Sequence, residues 1–314
     1  MSKELVVKTN RLNQAFQTLS LSELHIIQLA IVDARETGTG LSTDQPLRID
    51  ALRFAEVFGT SRQNAYQRMK EAEDSLFNRR FSFYDENGKL IKSRWIQQVK
   101  YLDDEGAIEL VFTLAVVQGI SKIDGIKEFF TQYLLSQTSQ LKSVYSARLY
   151  ELLIQWKSVG KTPEFKLNTF REQLGIGVNE YQRMDHFKIR VLDMAIEEIN
   201  AKTDIEASYK QHKKGRFITG FSFLFKQKEQ SKDSKKLITS VSKDLDALDM
   251  FHNLTEKQLD MFSSKLADLP VVQAMGYVGE DMKSFVARLR TMLMDADQQK
   301  VLMPYLKEVG YKLA

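Results

Sequence analysis

The spacing of apolar side chains predicts a helix–strand–helix–helix unit near the start of the chain. Its segments, in chain order, are a helix at 20–34, a strand at 46–49, a helix at 50–59 and a longer helix at 60–77. Asp50 is the predicted N-cap of the second helix, and Thr60 with Gln63 has the spacing of a capping box for the third. A tight turn at Gly59 between two helices is the helix-turn-helix arrangement.

An extended region follows this helix-turn-helix. Strands are predicted at 81–84, 90–101 and 108–112. Asn87-Gly88 is typical of a two-residue hairpin turn because both residues tolerate positive φ, and a second turn is predicted at 103–106. A helix-turn-helix followed by β-hairpins is a winged helix, and the first hairpin is its predicted wing.

The same order of elements recurs later in the chain. It comprises a helix at 143–157, a strand at 164–167, a helix at 168–174 capped by Asn168, a helix at 181–201, and a hairpin of 205–211 with 216–225. Three apolar positions of the longer helices match at a constant offset of 123 residues: Met69 with Leu192, Ala72 with Ala195, and Leu76 with Ile199. This internal duplication predicts an α+β fold of two tandem winged-helix domains, 1–135 and 136–228.

The composition changes after the second unit. Lys, Gln, Ser and Asp dominate a stretch that we interpret as a linker, 229–243. Beyond it, Thr255 with Gln258 predicts the start of a helix, and apolar stripes predict further helices at 282–293 and 301–313. The sequence therefore predicts a small all-helical C-terminal extension, 244–314, whose role it does not indicate.

Positive charge is concentrated in the duplicated region. The 314 residues carry 45 Lys and Arg against 41 Asp and Glu, a net charge of +4, whereas residues 227–314 carry 13 of each. Residues 61–100 hold nine basic and five acidic side chains, and residues 207–236 hold nine and two. Clusters of this kind are typical of a surface that binds a polyanion.

The basic residues fall on elements that winged-helix proteins use to contact DNA. The second helix of a helix-turn-helix enters the major groove, where Arg reads guanine and Asn reads adenine. In the first domain the candidates are Ser61, Arg62, Asn64 and Arg68 on the helix and Lys89, Lys92 and Arg94 on the hairpin. In the second domain they are Arg183, His186, Lys188 and Arg190 on the helix and Lys210, Lys213, Lys214 and Arg216 on the hairpin. Both clusters are thus predicted on the same two elements of each repeat.

Signals for catalysis are weak. The chain has no Cys, which excludes disulfides and thiolate metal sites, and its four His show no metal-binding spacing. We therefore expect no enzyme activity, no metal and no cofactor. We also expect a soluble cytoplasmic protein with no membrane partner, because no apolar run is long enough to span a bilayer and the start lacks the apolar stretch of a secretory signal.

Three stretches resemble the initiator proteins of iteron-containing, theta-replicating plasmids. They are Asn10-Arg-Leu-Asn with Leu24-His-Ile-Ile-Gln-Leu-Ala-Ile, Tyr145-Ser-Ala-Arg-Leu-Tyr-Glu-Leu-Leu with Trp156, and Lys213-Lys-Gly-Arg-Phe-Ile-Thr-Gly-Phe-Ser-Phe. The resemblance covers roughly residues 5–228. It implies two winged-helix domains that bind direct repeats at an origin, open an adjacent AT-rich region, and recruit the host initiator and helicase.

The resemblance also implies a switch between an active monomer and a homodimer that represses its own gene. It assigns the main base-specific contacts to the second domain, and DNA contacts with dimerisation to the first. An uncovered strand edge can pair with its twin, so the strands of the first domain become the candidate dimer surface. The residues concerned are Trp95, Val99, Tyr101, Ile108, Leu110 and Phe112.

Two other functions fit the same sequence. One is a winged-helix transcriptional repressor that binds DNA without opening it. The other is an adaptor whose winged helices contact proteins and whose Met-rich C-terminal region, with seven of the 11 Met, carries the function.

Overall fold

A computed structural model describes residues 4–85, 87–121, 130–157, 159–228 and, with internal gaps, 254–311. The chain divides into two compact units, residues 1–228 and 229–314. Within the described ranges, none of the helices is long and apolar enough to cross a membrane.

The first winged-helix domain combines helices with three small sheets. Its elements are β1 Leu5–Thr9, α1 Asn10–Asn13, β2 Phe16–Gln17, α2 Leu21–Thr37, β3 Leu47–Asp50, α3 Ala51–Phe58, α4 Arg62–Asn78, β4 Arg80–Tyr84, β5 Leu90–Arg94, β6 Ile96–Leu102, β7 Ala107–Phe112, α5 Leu114–Ile120 and β8 Phe130–Leu134. A capping box of Ser20 and Glu23 starts α2, and Gly38 ends it with φ of +73°.

The helix-turn-helix forms as predicted, with one difference at the start of α4. The Asp50 carboxylate accepts a hydrogen bond of 2.8 Å from the Leu52 amide, which confirms Asp50 as the N-cap of α3. The predicted capping box at Thr60 is wrong. The Thr60 amide donates to the Ala55 carbonyl at 3.0 Å and so completes the end of α3, while Ser61 precedes α4 without a side-chain cap.

The predicted strand 90–101 is in fact two strands in different sheets. β5 belongs to the sheet β2-β4-β5, and β6 belongs to the sheet β3-β7-β6. Trp95 separates them: its side chain is buried with its ring 4.4 Å from that of Phe81. Burying this indole turns the chain from one sheet into the other.

The second winged-helix domain repeats the helical order with a longer hairpin. Its elements are α6 Ser136–Ser139, α7 Val144–Ile154, β9 Phe165–Lys166, α8 Leu167–Gln173, α9 Met184–Phe187, a π turn Lys188–Asp193, α10 Met194–Lys202, β10 Ile205–Lys214 and β11 Phe217–Gln227. The predicted Asn168 cap is wrong because α8 already begins at Leu167. The predicted start of the next helix at 181 is also wrong, since Tyr181 has φ of +43°.

The two domains are built on the same sheet topology. The strand orders β6-β7-β3 and β10-β11-β9 correspond, and β3 and β9 each lead directly into the first helix of a helix-turn-helix. The fourth residues of α4 and α9, Ala65 and Phe187, are both buried and stand 122 positions apart. Beyond the π turn the offset is 123, as for Ala72 and Ala195, so the turn holds one inserted residue.

A buried polar network joins the two domains. The carboxylate of Glu151 on α7 pairs with Lys8 of β1 at 2.7 Å and with Arg148, and it accepts hydrogen bonds from Gln28 at 3.1 Å and Tyr133 at 2.6 Å. All five side chains are buried. Burial alone would raise the pKa of Glu151, but Lys8 and Arg148 outweigh it and lower that pKa to about 2.

The C-terminal unit has its own core. The capping box of Thr255 and Gln258 is confirmed at the start of α11, Glu256–Ala267. Helix α12, Met282–Met294, packs on it through buried apolar residues, among them Phe262 and Leu289. The predicted linker 229–243 lies outside the described residues, and so do six of the 13 residues of the predicted helix 301–313.

Candidate nucleic-acid interface

The recognition helix of the second domain, formed by α9, the π turn and α10, is tied to the first strand of its hairpin. Tyr209 of β10 donates a hydrogen bond of 2.6 Å to Asp193, and the Lys188 ammonium lies 3.3 Å from Gln211 Oε1. These two contacts place the outer side of the helix and the hairpin next to each other. Arg190 is exposed on this helix.

The turn before the recognition helix is organised by Arg171. Its guanidinium donates to the carbonyls of Glu180 at 2.5 Å and Tyr181 at 3.0 Å, and it lies 5.0 Å from the centre of the Phe187 ring. These bonds satisfy backbone oxygens in a loop that would otherwise be free to move. The start of the recognition helix is therefore fixed relative to α8.

Arg183 and His186 lie at the exposed N-terminal end of this helix. The Arg183 guanidinium contacts the Asp185 carboxylate through two hydrogen bonds, of 2.6 and 3.1 Å. These bonds lower the pKa of Asp185 to about 2. Arg183 is thus held by an exposed acid, and a ligand that takes its guanidinium must replace this pair.

The hairpin β10–β11 carries a basic tip. Lys214 pairs with Phe217, which leaves Gly215 and Arg216 as a two-residue turn, and Gly215 has φ of +63° as such a turn requires. Exposed cations at or beside this turn are Lys213, Lys214 and Arg216, and Lys210 is exposed further down the same hairpin. At the base of the tip, His212 Nε2 lies 2.7 Å from Ser222 Oγ, and its Nδ1 lies 3.8 Å from Glu164.

The corresponding hairpin of the first domain is acidic. By sheet order, β6–β7 is the counterpart of β10–β11, and its tip is Asp103-Asp104-Glu105. The basic residues Lys89, Lys92 and Arg94 lie instead on β4–β5, in a separate sheet. The prediction that both basic clusters occupy the same two elements is therefore wrong, because the chain changes sheets at Trp95.

Several cations of the first domain are engaged within the protein. Lys70 and Tyr66 of α4 each donate to Asp103 at 2.8 Å, and these bonds lower the pKa of Asp103. Arg62 pairs with Glu56 at 2.7 Å. Arg94 donates to the carbonyl of Phe77 at 2.8 Å, which places it against the end of α4.

Three other predicted residues at the start of α4 do face solvent. Ser61, Asn64 and Arg68 are exposed near its N-terminal end. Unlike the second domain, the first therefore presents these polar residues beside an acidic hairpin tip.

The prediction of an exposed strand edge is wrong for four of the six candidate dimer residues. Trp95, Ile108, Leu110 and Phe112 are buried, and the last three lie on β7, the central strand of its sheet. Val99 and Tyr101 lie on β6, which is one edge strand of that sheet, with β3 at the other edge. The Tyr101 hydroxyl donates to Glu73 at 2.5 Å, and this bond raises the pKa of Tyr101.

The structure also exposes apolar side chains that the sequence analysis missed. Phe217 at the hairpin tip is 80% exposed, and Ile189 and Met194 on the recognition helix are 61% and 57% exposed. The signal for Phe217 was its place beside a two-residue turn within a basic segment. Within the described ranges, no group of three or more His, Asp or Glu side chains is placed to hold a metal ion.

Comparisons with known proteins place the chain in a family. The family model described as "Initiator Replication protein, WH1" matches residues 5–154, and the model described as "Initiator Rep protein, WH2" matches residues 166–225. An uncharacterized 27.6 kDa protein of Escherichia coli is 25% identical over 240 residues, which are 72% of this chain and 97% of that protein.

A second relative and a solved structure are also similar to this chain. The PI protein of Escherichia coli is 34% identical over 143 residues, which are 41% of this chain and 47% of that protein. The crystal structure of the Pi initiator protein in complex with iteron DNA matches with a TM-score of 0.60 and 26% identity, over 73% of this chain and all of that one. With both domain models matched across most of residues 5–225, the chain belongs to the family of initiator replication proteins, built from WH1 and WH2 domains.

Proposed function

We propose that this initiator binds direct repeats (iterons) at a plasmid origin as a sequence-specific double-stranded DNA-binding protein, with WH2 making the main contacts. The observation that carries the proposal is the single surface formed by the WH2 recognition helix and its basic hairpin, joined through Tyr209–Asp193 and Lys188–Gln211. The related Pi protein, crystallised with iteron DNA, supports this class of ligand.

The two parts of this surface have different tasks. The exposed N-terminal half of the recognition helix enters the major groove, where Arg183 and Arg190 donate hydrogen bonds to guanine. Lys213, Lys214 and Arg216 on the hairpin contact phosphates or the minor groove beside it. In WH1 the acidic tip of β6–β7 repels phosphates, so α4 contributes the weaker contacts.

Binding leads to initiation through steps that involve other molecules. The initiator opens an adjacent AT-rich region and recruits the host initiator and helicase, and it acts in the cytoplasm without catalysing a reaction of its own. A supercoiled plasmid carrying the origin should therefore stay covalently closed after incubation with the protein and a divalent cation. Nicked product would contradict the non-enzymatic part of the proposal.

A homodimer forms the repressing state. Edge strand β6 of WH1 supports this, since it has one side without a strand partner in its sheet. Two copies pair β6 to β6, with Val99 and Tyr101 beside the new contact. The active form on the origin repeats is the monomer.

The binding proposal is tested by fluorescence anisotropy at physiological salt. The protein is titrated onto a duplex carrying the direct repeats that flank its gene, and onto a scrambled duplex. Arg190→Ala should weaken binding to the repeat by roughly 1–3 kcal/mol and leave the scrambled duplex nearly unaffected. Lys226→Gln, which removes an exposed charge paired with Glu206, is the matched control. Equal affinity of the wild type for both duplexes would refute sequence-specific binding.

Permanganate footprinting separates an initiator from a repressor. The full-length protein on a supercoiled origin should make thymines of the AT-rich region reactive. Repeat-specific binding with no reactive thymines would identify a repressor instead. An adaptor would show neither.

A further inference from the structure

We infer that Phe217 is a wedge that inserts between base pairs from the minor groove when the WH2 hairpin docks on the repeat. The inference rests on the proposed DNA binding and adds what the hairpin does to the duplex. Phe217 stands at the tip, directly after the turn and opposite Lys214. It is 80% exposed, although three other aromatic residues of the same strand, Phe221, Phe223 and Phe225, are buried.

A β-bulge explains why this one ring points outward. Side chains of a strand alternate between its two faces, so residues 217, 221, 223 and 225 would share a face in a regular hairpin. The register shifts between His212 and Lys213, because His212 pairs with Gly220 and Lys213 with Ile218, which leaves Thr219 as the extra residue. Ile218 therefore packs against the core and Phe217 faces away from it.

The tip projects from the sheet and is held firmly at its base. Strand β9 pairs with β11 only at Gly220 and Phe221, so the hairpin beyond them is a two-stranded ribbon. Thr219 donates a hydrogen bond of 3.0 Å to Glu164, and the contact of His212 with Ser222 closes the ribbon across its width. Phe217 therefore lies at the end of a two-stranded ribbon whose base is held by side-chain contacts.

The charge around the ring selects nucleic acid as its partner. Lys213, Lys214 and Arg216 lie within four positions of Phe217, and the segment 207–220 contains no acidic residue. An apolar protein surface gains nothing from three cations beside the ring, whereas the minor groove places phosphates on both sides of an inserted side chain. Architectural proteins use Phe in this way to unstack a base step.

Insertion is favoured at flexible steps. Pyrimidine–purine steps such as TA unstack at a lower cost than stiff A-tracts, so a wedge adds specificity at a position without hydrogen bonds to bases. Phe217 therefore makes the affinity of the protein for the repeat depend on the base-pair step that lies under the hairpin.

The test uses repeat duplexes that carry 2-aminopurine at one position at a time beneath the hairpin side of the site. Wild-type protein should raise the fluorescence at one step, and Phe217→Ala should abolish that rise and weaken binding by roughly 10-fold. Phe217→Leu, which keeps an apolar wedge, should retain most of the rise. Leu224→Ala is the matched control, since Leu224 is 61% exposed on the same strand far from the tip.

A second measurement couples the residue to the sequence. Replacing a TA step under the hairpin with AA should weaken binding of the wild type but leave Phe217→Ala unchanged. Two results would overturn the wedge. One is a rise in fluorescence that persists in Phe217→Ala. The other is a Phe217→Ala variant that loses affinity for single-stranded DNA but not for the repeat duplex. Both results leave repeat-specific binding intact, whereas failure of the proposed function shows itself as wild type that does not distinguish repeat from scrambled DNA.

Discussion

Lys8 Nζ lies 2.7 Å from Glu151 Oε1, and this buried contact links the first strand of WH1 to helix α7. Arg148 binds the other oxygen of the same carboxylate and also donates to the backbone oxygens of Asn13, at 3.1 Å, and Gln173, at 3.1 Å. The carboxylate therefore holds together segments that are far apart in the chain. Lys8 and Arg148 are buried, and the negative charge of Glu151 compensates their positive charges.

Glu151→Ala should lower the free energy of unfolding by about 3–5 kcal/mol, because it leaves two buried cations without their acid. Urea unfolding followed by circular dichroism measures the change. Glu206→Ala, which breaks the exposed pair with Lys226, should cost less than about 1 kcal/mol. Equal losses in the two variants would contradict a structural role for the buried network.

His25 should make stability depend on pH. Burial lowers the pKa of His25 to about 4, and its ring stacks on Phe58 with centroids 3.9 Å apart. The unfolded chain, with a pKa near 6.5, binds the proton first, so stability is complete above about pH 6.5 and falls as the pH drops toward 4. The full shift corresponds to about 3 kcal/mol. His25→Phe keeps an aromatic ring on Phe58 and should flatten the unfolding free energy over this pH range; an unchanged slope would assign it to other groups.

The two basic hairpins should differ in their contribution to DNA affinity. Lys213→Gln with Lys214→Gln should weaken binding to repeat and scrambled DNA alike, and should reduce the slope of log affinity against log salt by about 0.9 for each charge. Lys89→Gln with Lys92→Gln removes the same charge from β4–β5, outside the WH1 counterpart of the wing. Anisotropy titrations at several salt concentrations compare the pairs, and equal effects would show that β4–β5 also lies on the DNA.

The dimer contact should be sensitive to the edge strand alone. Val99→Lys on β6 should shift the protein toward monomer in sedimentation equilibrium, because it places like charges together in a pair of β6 strands. Leu110→Ala on the central strand β7 should instead lower the free energy of unfolding by about 2–5 kcal/mol. A dimer that survives Val99→Lys would place the contact elsewhere.

Local signals in the sequence predict most of the helices. Asp50 and Ser20 cap helices as their residue types indicate, and Gly59 ends α3 in the left-handed conformation. These features depend on neighbouring residues in the chain. The duplication was also visible, because buried positions such as Met69 and Leu192 recur at one offset.

The sequence does not predict which sheet each strand joins. The run from Leu90 to Tyr101 is locally extended throughout, and nothing in its pattern marks Trp95 as the point where the chain changes sheets. That change depends on contacts with Phe81 and with β7, which are distant in sequence. The incorrect predictions of the WH1 wing and of the dimer residues on β7 both follow from this change of sheet.

The inserted residue of the π turn has a consequence for how the two domains face their ligands. One residue of a regular α-helix corresponds to about 100° of rotation, so an extra residue would turn the start of the WH2 recognition helix away from the core. The π turn absorbs this residue, because Phe187 before it and Ala195 after it are both buried, as Ala65 and Ala72 are in WH1. The two recognition helices therefore present the same side to a ligand, and the residues at their reading ends correspond at an offset of 122 positions, not at the 123 that holds for the rest of the helix.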